Sequence, residues 1–182
     1  PAAPPRHPAF PQSDSVNVRM LGATGDGKTD DTAAFLAAVA RAKKERKPIF
    51  VPLGQYVISR TISLKQTAIA GPPAGAWPAD AEALPSILPA HRDAPAFVLG
   101  DGAGLAGLDI TYNFQDEPTT GPAAIQISGV GVSVRDTRIR YAWDGILADG
   151  VSNVGRANIE NVFMVTIRNV GLRMTGTWDV PR

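Results

Sequence analysis

The residues able to do chemistry in this chain are mostly carboxylates and guanidiniums. Asp109, Asp136 and Asp144 lie among Arg135, Arg138, Arg140, Arg156, Arg168 and Arg173, and no Lys follows Lys65. Paired carboxylates can move protons or hold a hard cation. Arg presents a planar fork that matches an anionic group. A second candidate is Gly22-Ala23-Thr24-Gly25-Asp26-Gly27-Lys28-Thr29, which fits the phosphate-cradling pattern G-x-x-x-x-G-K-[ST]. Asp26, Asp30 and Asp31 crowd that segment with negative charge, and no strand ending in Asp offers a magnesium partner. A turn followed by a helix cap is the expected reading, without nucleotide binding.

Composition removes several other chemistries. There is no Cys, which excludes a disulfide framework, a thiolate zinc site and a cysteine nucleophile. Only His7 and His91 are present, both in Pro-rich surroundings, so His-based catalysis is not expected. Lys+Arg 18 against Asp+Glu 17 leaves a net charge of +1, which gives no general electrostatic case for nucleic acid or an anionic membrane. No apolar run reaches the roughly 18 residues that span a bilayer.

The elements that must position these residues are short. Residues 1–13 are rich in Pro and read as an extended arm, and residues 14–182 read as one domain. Val16–Leu21 alternates like a strand. Thr29, Asp30 or Asp31 can cap a helix over Thr32–Arg46, with Phe35, Leu36, Val39 and Ala40 as its apolar face and Pro48 as its stop. Short strands follow at Ile49–Val51, Tyr56–Ile58, Thr61–Leu64, Ala68–Ala70 and Ser86–Leu88.

From residue 96 the chain repeats. Ala96–Gly100, Ala124–Ser128, Gly145–Asp149 and Gly171–Thr175 are copies of one unit, with starts 28, 21 and 26 residues apart. Leu105–Ile110, Val134–Ile139 and Val154–Ile159 are copies of a second, with starts 29 and 20 apart. A short irregular period of strands without helices is the mark of a parallel β-helix, whose coils complete one another's core. This register stacks Asp109, Arg138 and Asn158 in one outward column, and Thr111, Arg140 and Glu160 in the next. The chain stops soon after Gly171–Thr175, so its last coil is expected to be covered by further chain or by another subunit.

The segment Leu21–Phe35, the Ala-rich helix after it and Ile49–Ile58 resemble the N-terminal signature of the pectate-lyase-3 / glycoside-hydrolase-28-like superfamily. That signature runs GAxGDGxTDDTxA, then a helix, then an hxhPxGxYxh phrase. The resemblance spans residues 16–71. It implies an all-β fold, a right-handed parallel β-helix with one N-terminal capping α-helix. It also implies a carbohydrate ligand, and with it a secreted, cell-surface or periplasmic setting. It carries over no catalytic residues, because the matched phrase is structural. Of the polygalacturonase-type motifs only Arg138-Ile139-Arg140 echoes one, R-I-K.

Within that frame the expected function is recognition and cleavage of a polysaccharide, by lysis or hydrolysis. Hydrolysis needs two carboxylates roughly 5–9.5 Å apart. Uronate lysis needs a base and a cation, Arg or Ca²⁺, on the substrate carboxylate. The expected catalytic groups are Asp109, Asp136 and Asp144. Arg138 and Arg140 would hold a substrate carboxylate, and Tyr112, Tyr141 and Trp143 would stack on sugar rings. The loop at 112–123, with Asp116 and Glu117, could wall a cleft. The alternative is a non-catalytic carbohydrate-binding or structural module, in which the charges pair with one another and the aromatics fill corners.

Overall fold

The structure, a computed structural model, describes residues 14–76, 83–113, 120–149 and 153–175. The extended arm, Asp116, Glu117 and the segment after Thr175 lie outside the described residues.

Among those residues the strands follow one another around a three-sided coil. The chain enters through β1 (Val16–Asn17), a 3-10 turn (Val18–Leu21), β2 (Asp26–Asp30) and helix α1 (Thr32–Glu45). The first full coil is β3 (Ile49–Phe50), β4 (Gln55–Ile58) and β5 (Ile62–Leu64); the second is β6 (Ala68–Ala70), β7 (Ser86–Pro89) and β8 (Phe97–Leu99). The third is β9 (Gly104–Ala106), β10 (Asp109–Thr111) and β11 (Ala123–Ile127). In the fourth and fifth coils a single long strand serves two sides: β12 (Ser133–Arg140) precedes β13 (Asp144–Asp149), and β14 (Asn158–Val165) precedes β15 (Val170–Thr175). Every recorded pairing is parallel and joins one coil to the next or skips none on its own side. The fold is a parallel β-helix.

The first face stacks β1, β3, β6, β9 and the start of β12; the second stacks β2, β4, β7, β10 and the end of β12; the third stacks β5, β8, β11, β13 and β15. Inward positions align from coil to coil. Tyr56, Ile87, Ile110, Ile139 and Met164 form one such column, and Ile62, Phe97, Ile125, Ile146 and Leu172 another. Apart from the last coil these side chains are fully buried, each worth about 1.5–3 kcal/mol of hydrophobic stabilisation. In the fifth coil Leu172 is 48% exposed and Ile159, Val162, Met164 and Met174 are only half-buried, because no described strand pairs above them.

Corners require the chain to bend sharply, and residues in the left-handed region supply the bend. Gly107, Asp136 and Asn161 (φ 62°, 47° and 50°) occupy the corner between the first and second faces in successive coils. Gln66, Gly102, Gly131 and Arg156 do the same between the third and first. This conformation costs a non-glycine residue about 1–2 kcal/mol, less for Asn and Asp. Asn161 offsets part of that cost by donating Nδ2–H to Asp136 Oδ1 at 2.6 Å.

Helix α1 closes the entry end. In chain order it takes the place a third-face strand holds in later coils, and it packs on β5, β1, β3 and the 3-10 turn. Its buried face is Ala34, Phe35, Ala38, Val39 and Ala42, with Phe35 edge-on to Tyr56 at 5.6 Å between ring centres. Leu36 and Ala40, expected on that face, point to solvent; they lie one residue beyond the buried Phe35 and Val39, about 100° further round the helix. The helix ends one residue earlier than the sequence suggests, because Arg46 turns left-handed (φ 55°) and donates its N–H to Ala42 O. The expected strand Val16–Leu21 is also shorter: only Val16–Asn17 pairs, and Asn17 Oδ1 accepts from Arg19 N to start the 3-10 turn.

The repeat on the third face matches the sequence register copy for copy. The second unit matches in two copies, with Asp109 opposite Arg138 and Thr111 opposite Arg140. Its third copy is misplaced: Asn158 pairs with Ser133 on the first face, and the residue beside Arg138 is Phe163. The column is therefore Asp109–Arg138–Phe163, and the next is Thr111–Arg140–Val165. The true copy is Ile159–Met164, in which Met replaces the inward Ile and Phe the polar residue, so the Leu/Val-to-Ile spacing points to the wrong segment.

Candidate functional site

On the outer side of the second face, one carboxylate holds two guanidiniums. β10 places Asp109 outward between the inward Leu108 and Ile110, yet Asp109 is fully buried. Its Oδ2 accepts from Ser86 Oγ at 3.2 Å, Arg138 Nη2 at 3.1 Å and Arg140 Nη2 at 2.5 Å. Its Oδ1 accepts from Thr111 Oγ1 and Arg140 Nε, both at 3.1 Å. Arg140 Nε also donates to Thr111 Oγ1 at 3.0 Å. Parallel pairing makes this possible, since β7, β10 and β12 put Ser86, Asp109 and Arg138 side by side about one strand spacing apart. Both oxygens of Asp109 are committed as acceptors, so it positions the arginines. Arg138 is buried with its side chain 6% exposed, while Arg140 keeps 26%. Two cations share one anion, and Arg140 is the one that reaches solvent. Ser86 was not expected here; its signal was its place just before the inward Ile87, matching Asp109 before Ile110.

The other two candidate carboxylates stand elsewhere. Asp136 sits at the corner between the first and second faces with Asn161 on it. Asp144 opens β13 on the third face, where its Oδ1 accepts from Asn169 Nδ2 at 2.9 Å and Val170 N at 3.0 Å. The structure thus divides the three acids among a face, a corner and the next face.

The aromatic residues divide as well. Tyr112 is 5% exposed and belongs to the core, and burial pushes its phenol pKa up, with a hydrogen bond from the Ala96 backbone acting against it. That removes Tyr112 from any sugar-facing surface. Tyr141 bends the corner (φ 59°) and packs partly on the core; Trp143 is half-buried beside Gly121. Among the described residues no group of three or more His, Asp or Glu could hold a metal ion. With guanidiniums already on Asp109, the described residues do not fit a Ca²⁺ site.

The phosphate-loop pattern is filled from within. Asp31 is buried, and its carboxylate accepts from Thr24 N at 2.7 Å, Thr24 Oγ1 at 3.1 Å and Gly25 N at 3.2 Å. Asp26 Oδ1 accepts from Lys28 N and Thr29 N, and Asp30 Oδ1 from Thr32 N. These backbone donors would otherwise be the ones offered to a phosphate. The Thr29 and Lys28 amides hold Asp26 down to about 2, and the Ser59 and Thr32 hydroxyls do the same for Asp30. Residues 26–30 form a strand along β4; at the start of α1 the Asp31 side chain makes no cap hydrogen bond, and Asp30 accepts from Thr32 N in its stead.

These features agree with known proteins. A model of the family described as rhamnogalacturonase A/epimerase, pectate lyase-like, matches residues 15–91. A glucan 1,3-beta-glucosidase of Cochliobolus carbonum is 41% identical over 58 residues, covering 32% of this chain and 7% of its own length. A preneck appendage protein of Bacillus phage PZA is 28% identical over 161 residues, covering 88% of this chain and 16% of its own. The chain therefore spans a sixth or less of these curated relatives. In fold, the A-module of a mannuronan C-5 epimerase from Azotobacter vinelandii superposes with a TM-score of 0.60 at 17% identity, over 88% of this chain and 44% of that one. Over residues 15–91 the chain is thus similar to the pectate lyase-like family, and its capping helix and three stacked faces give the whole described chain the parallel β-helix fold.

Proposed function

We propose that this chain is part of a carbohydrate-active β-helix protein that recognises and cleaves an acidic polysaccharide, by lysis or hydrolysis, outside the cell or on a virion. The observation that carries the reading is the Asp109–Arg138–Arg140 network, which holds Arg140 in place with its side chain 26% exposed on the second face. A uronate carboxylate would complete it, as a charge-assisted pair with the exposed edge of Arg140. The likeness of residues 15–91 to the pectate lyase-like family and the glucosidase relative support a glycan as the ligand. Arg140 then neutralises the substrate carboxylate, the part that a Ca²⁺ would play in a lyase.

A second reading has its own observation. Asp109, Asp136 and Asp144 all accept hydrogen bonds that hold their neighbours in place. None of them belongs to a free carboxylate pair across a groove, and that favours a binding or structural module; the likeness to a phage preneck appendage protein is in keeping with it.

Incubation with polygalacturonate, alginate and a neutral β-glucan separates the readings. Unsaturated uronate ends identify a lyase, and new reducing ends without them a hydrolase. Retention on polygalacturonate without product identifies the binding module. Equal indifference to all three glycans overturns the carbohydrate reading.

A further inference from the structure

Away from the second face, the C-terminal end of α1 meets the corner between the third and first faces. Lys43, Arg46, Lys47 and Lys65 line a groove of about 710 Å³ there, with Ala42 and Ala68 between them. That is within the range of roughly 300–1,000 Å³ typical of ligand sites. Residues 41–47 hold five basic residues and one acidic, while the whole chain carries only +1. The cations come from two separate elements. Basic residues at a helix C-terminus suit its dipole, but that does not account for Lys65, which sits one turn of the coil further on at a β-helix corner.

Two acids reach the rim. Lys47 Nζ lies 3.3 Å from Asp14 Oδ1, and Lys65 Nζ lies 2.9 Å from Asp101 Oδ2. Both pairs are solvated, so they are weak and easily exchanged. Lys43 and Arg46 are exposed and carry no ion pair among the described residues. Four cations against two acids leave an excess of two.

We infer that this groove is a second anion-binding surface, separate from Arg140, which takes a stretch of polyuronate chain. Cations spread along a groove suit an anion that repeats at every sugar ring better than a single phosphate. The lining contains no aromatic ring, which disfavours single-stranded nucleic acid, where bases stack on aromatics. The choice of a polyuronate rests on the carbohydrate reading above; the positive groove itself does not.

The test is binding of polygalacturonate across a salt series by the parent, Lys43→Ser/Lys65→Ser and Arg140→Gln. Dextran sulfate and a single-stranded oligonucleotide serve as competing probes. The substituted lysines are exposed, so unchanged circular dichroism and melting temperature are expected. The expected result for the double variant is about tenfold weaker polygalacturonate binding at low salt and a shallower salt dependence, since fewer counterions are released. Arg140→Gln is expected to leave that salt-dependent component in place. Parent-like binding by the double variant, with loss confined to Arg140→Gln, overturns the groove while the second-face reading stands. Absence of polygalacturonate binding in the parent overturns the polyuronate assignment of the groove, and the carbohydrate reading falls with it only if alginate and the neutral β-glucan are ignored as well. Lysine-dependent binding of the oligonucleotide alone overturns the polyuronate assignment.

Discussion

Arg140 reaches back across one strand to grip both oxygens of Asp109, Nε on Oδ1 at 3.1 Å and Nη2 on Oδ2 at 2.5 Å. A carboxylate buried under two guanidiniums is held in place by its neighbours and in turn holds them. Removing one partner of such a pair costs far more than the pair contributes, because the charges left behind are desolvated and uncompensated.

Asp109→Ala is therefore expected to destabilise the fold by about 3–5 kcal/mol, leaving Arg138 buried beside a void. Asp109→Asn keeps the shape and part of the hydrogen bonding and should lose less. Urea denaturation of both variants checks this. Equal, small losses would show that the network is only a surface feature.

The Gly22–Thr29 segment is expected to bind no nucleotide, because Asp31 and Asp26 already occupy the Thr24, Gly25, Lys28 and Thr29 amides. Calorimetry with ATP and magnesium should register no heat beyond dilution, and Lys28→Ala should behave like the parent. Micromolar affinity abolished by that substitution would contradict this account.

The cap should also show in acid. Asp26 and Asp30 are lowered from 3.8 to about 2. A carboxylate with a depressed folded-state pKa stabilises the fold above its unfolded value, and that contribution is lost as pH falls through the folded one. Stability is thus expected to be flat above about pH 5 with respect to these groups, and to fall between about pH 4 and 2. Asp30→Asn should lower the melting temperature at pH 6 and flatten its slope below pH 4. An unchanged slope would show that these bonds do not persist in solution.

How much of this was readable beforehand varied with the local pattern. On the third face every copy keeps an apolar-x-apolar core, such as Ile125-Gln126-Ile127 and Leu172-Arg173-Met174, so period-two alternation gave the register directly. The second-face column was readable where Asp109 and Arg138 each precede an inward Ile. It failed where Phe163 and Met164 stand in their place. The burial of Asp109 was not readable at all, because an outward residue in a strand pattern says nothing of what lies over it. The basic groove escaped for a related reason: Lys65 is 18 residues beyond Lys47 and meets α1 only after the chain has gone once around.

The corner between the first and second faces gives the last expectation. Gly107, Asp136 and Asn161 share one left-handed position in successive coils. At Gly107 an added Cβ would lie 3.0 Å from Pro72 O, with φ at +62°. Gly107→Val adds a β-branched side chain to both the strain and the contact, and it is expected to cost about 1–3 kcal/mol. Asp136 already pays the conformational cost, so Asp136→Gly should relieve the backbone while losing the 2.6 Å bond from Asn161. The two effects are of similar size and opposite sign, about 1 kcal/mol each. Asp136→Gly should therefore be close to neutral in denaturant unfolding, whereas Asp136→Val should resemble Gly107→Val. A large loss in Asp136→Gly would mean that its carboxylate does more than turn the corner, and would return it to the list of groups that act on a ligand.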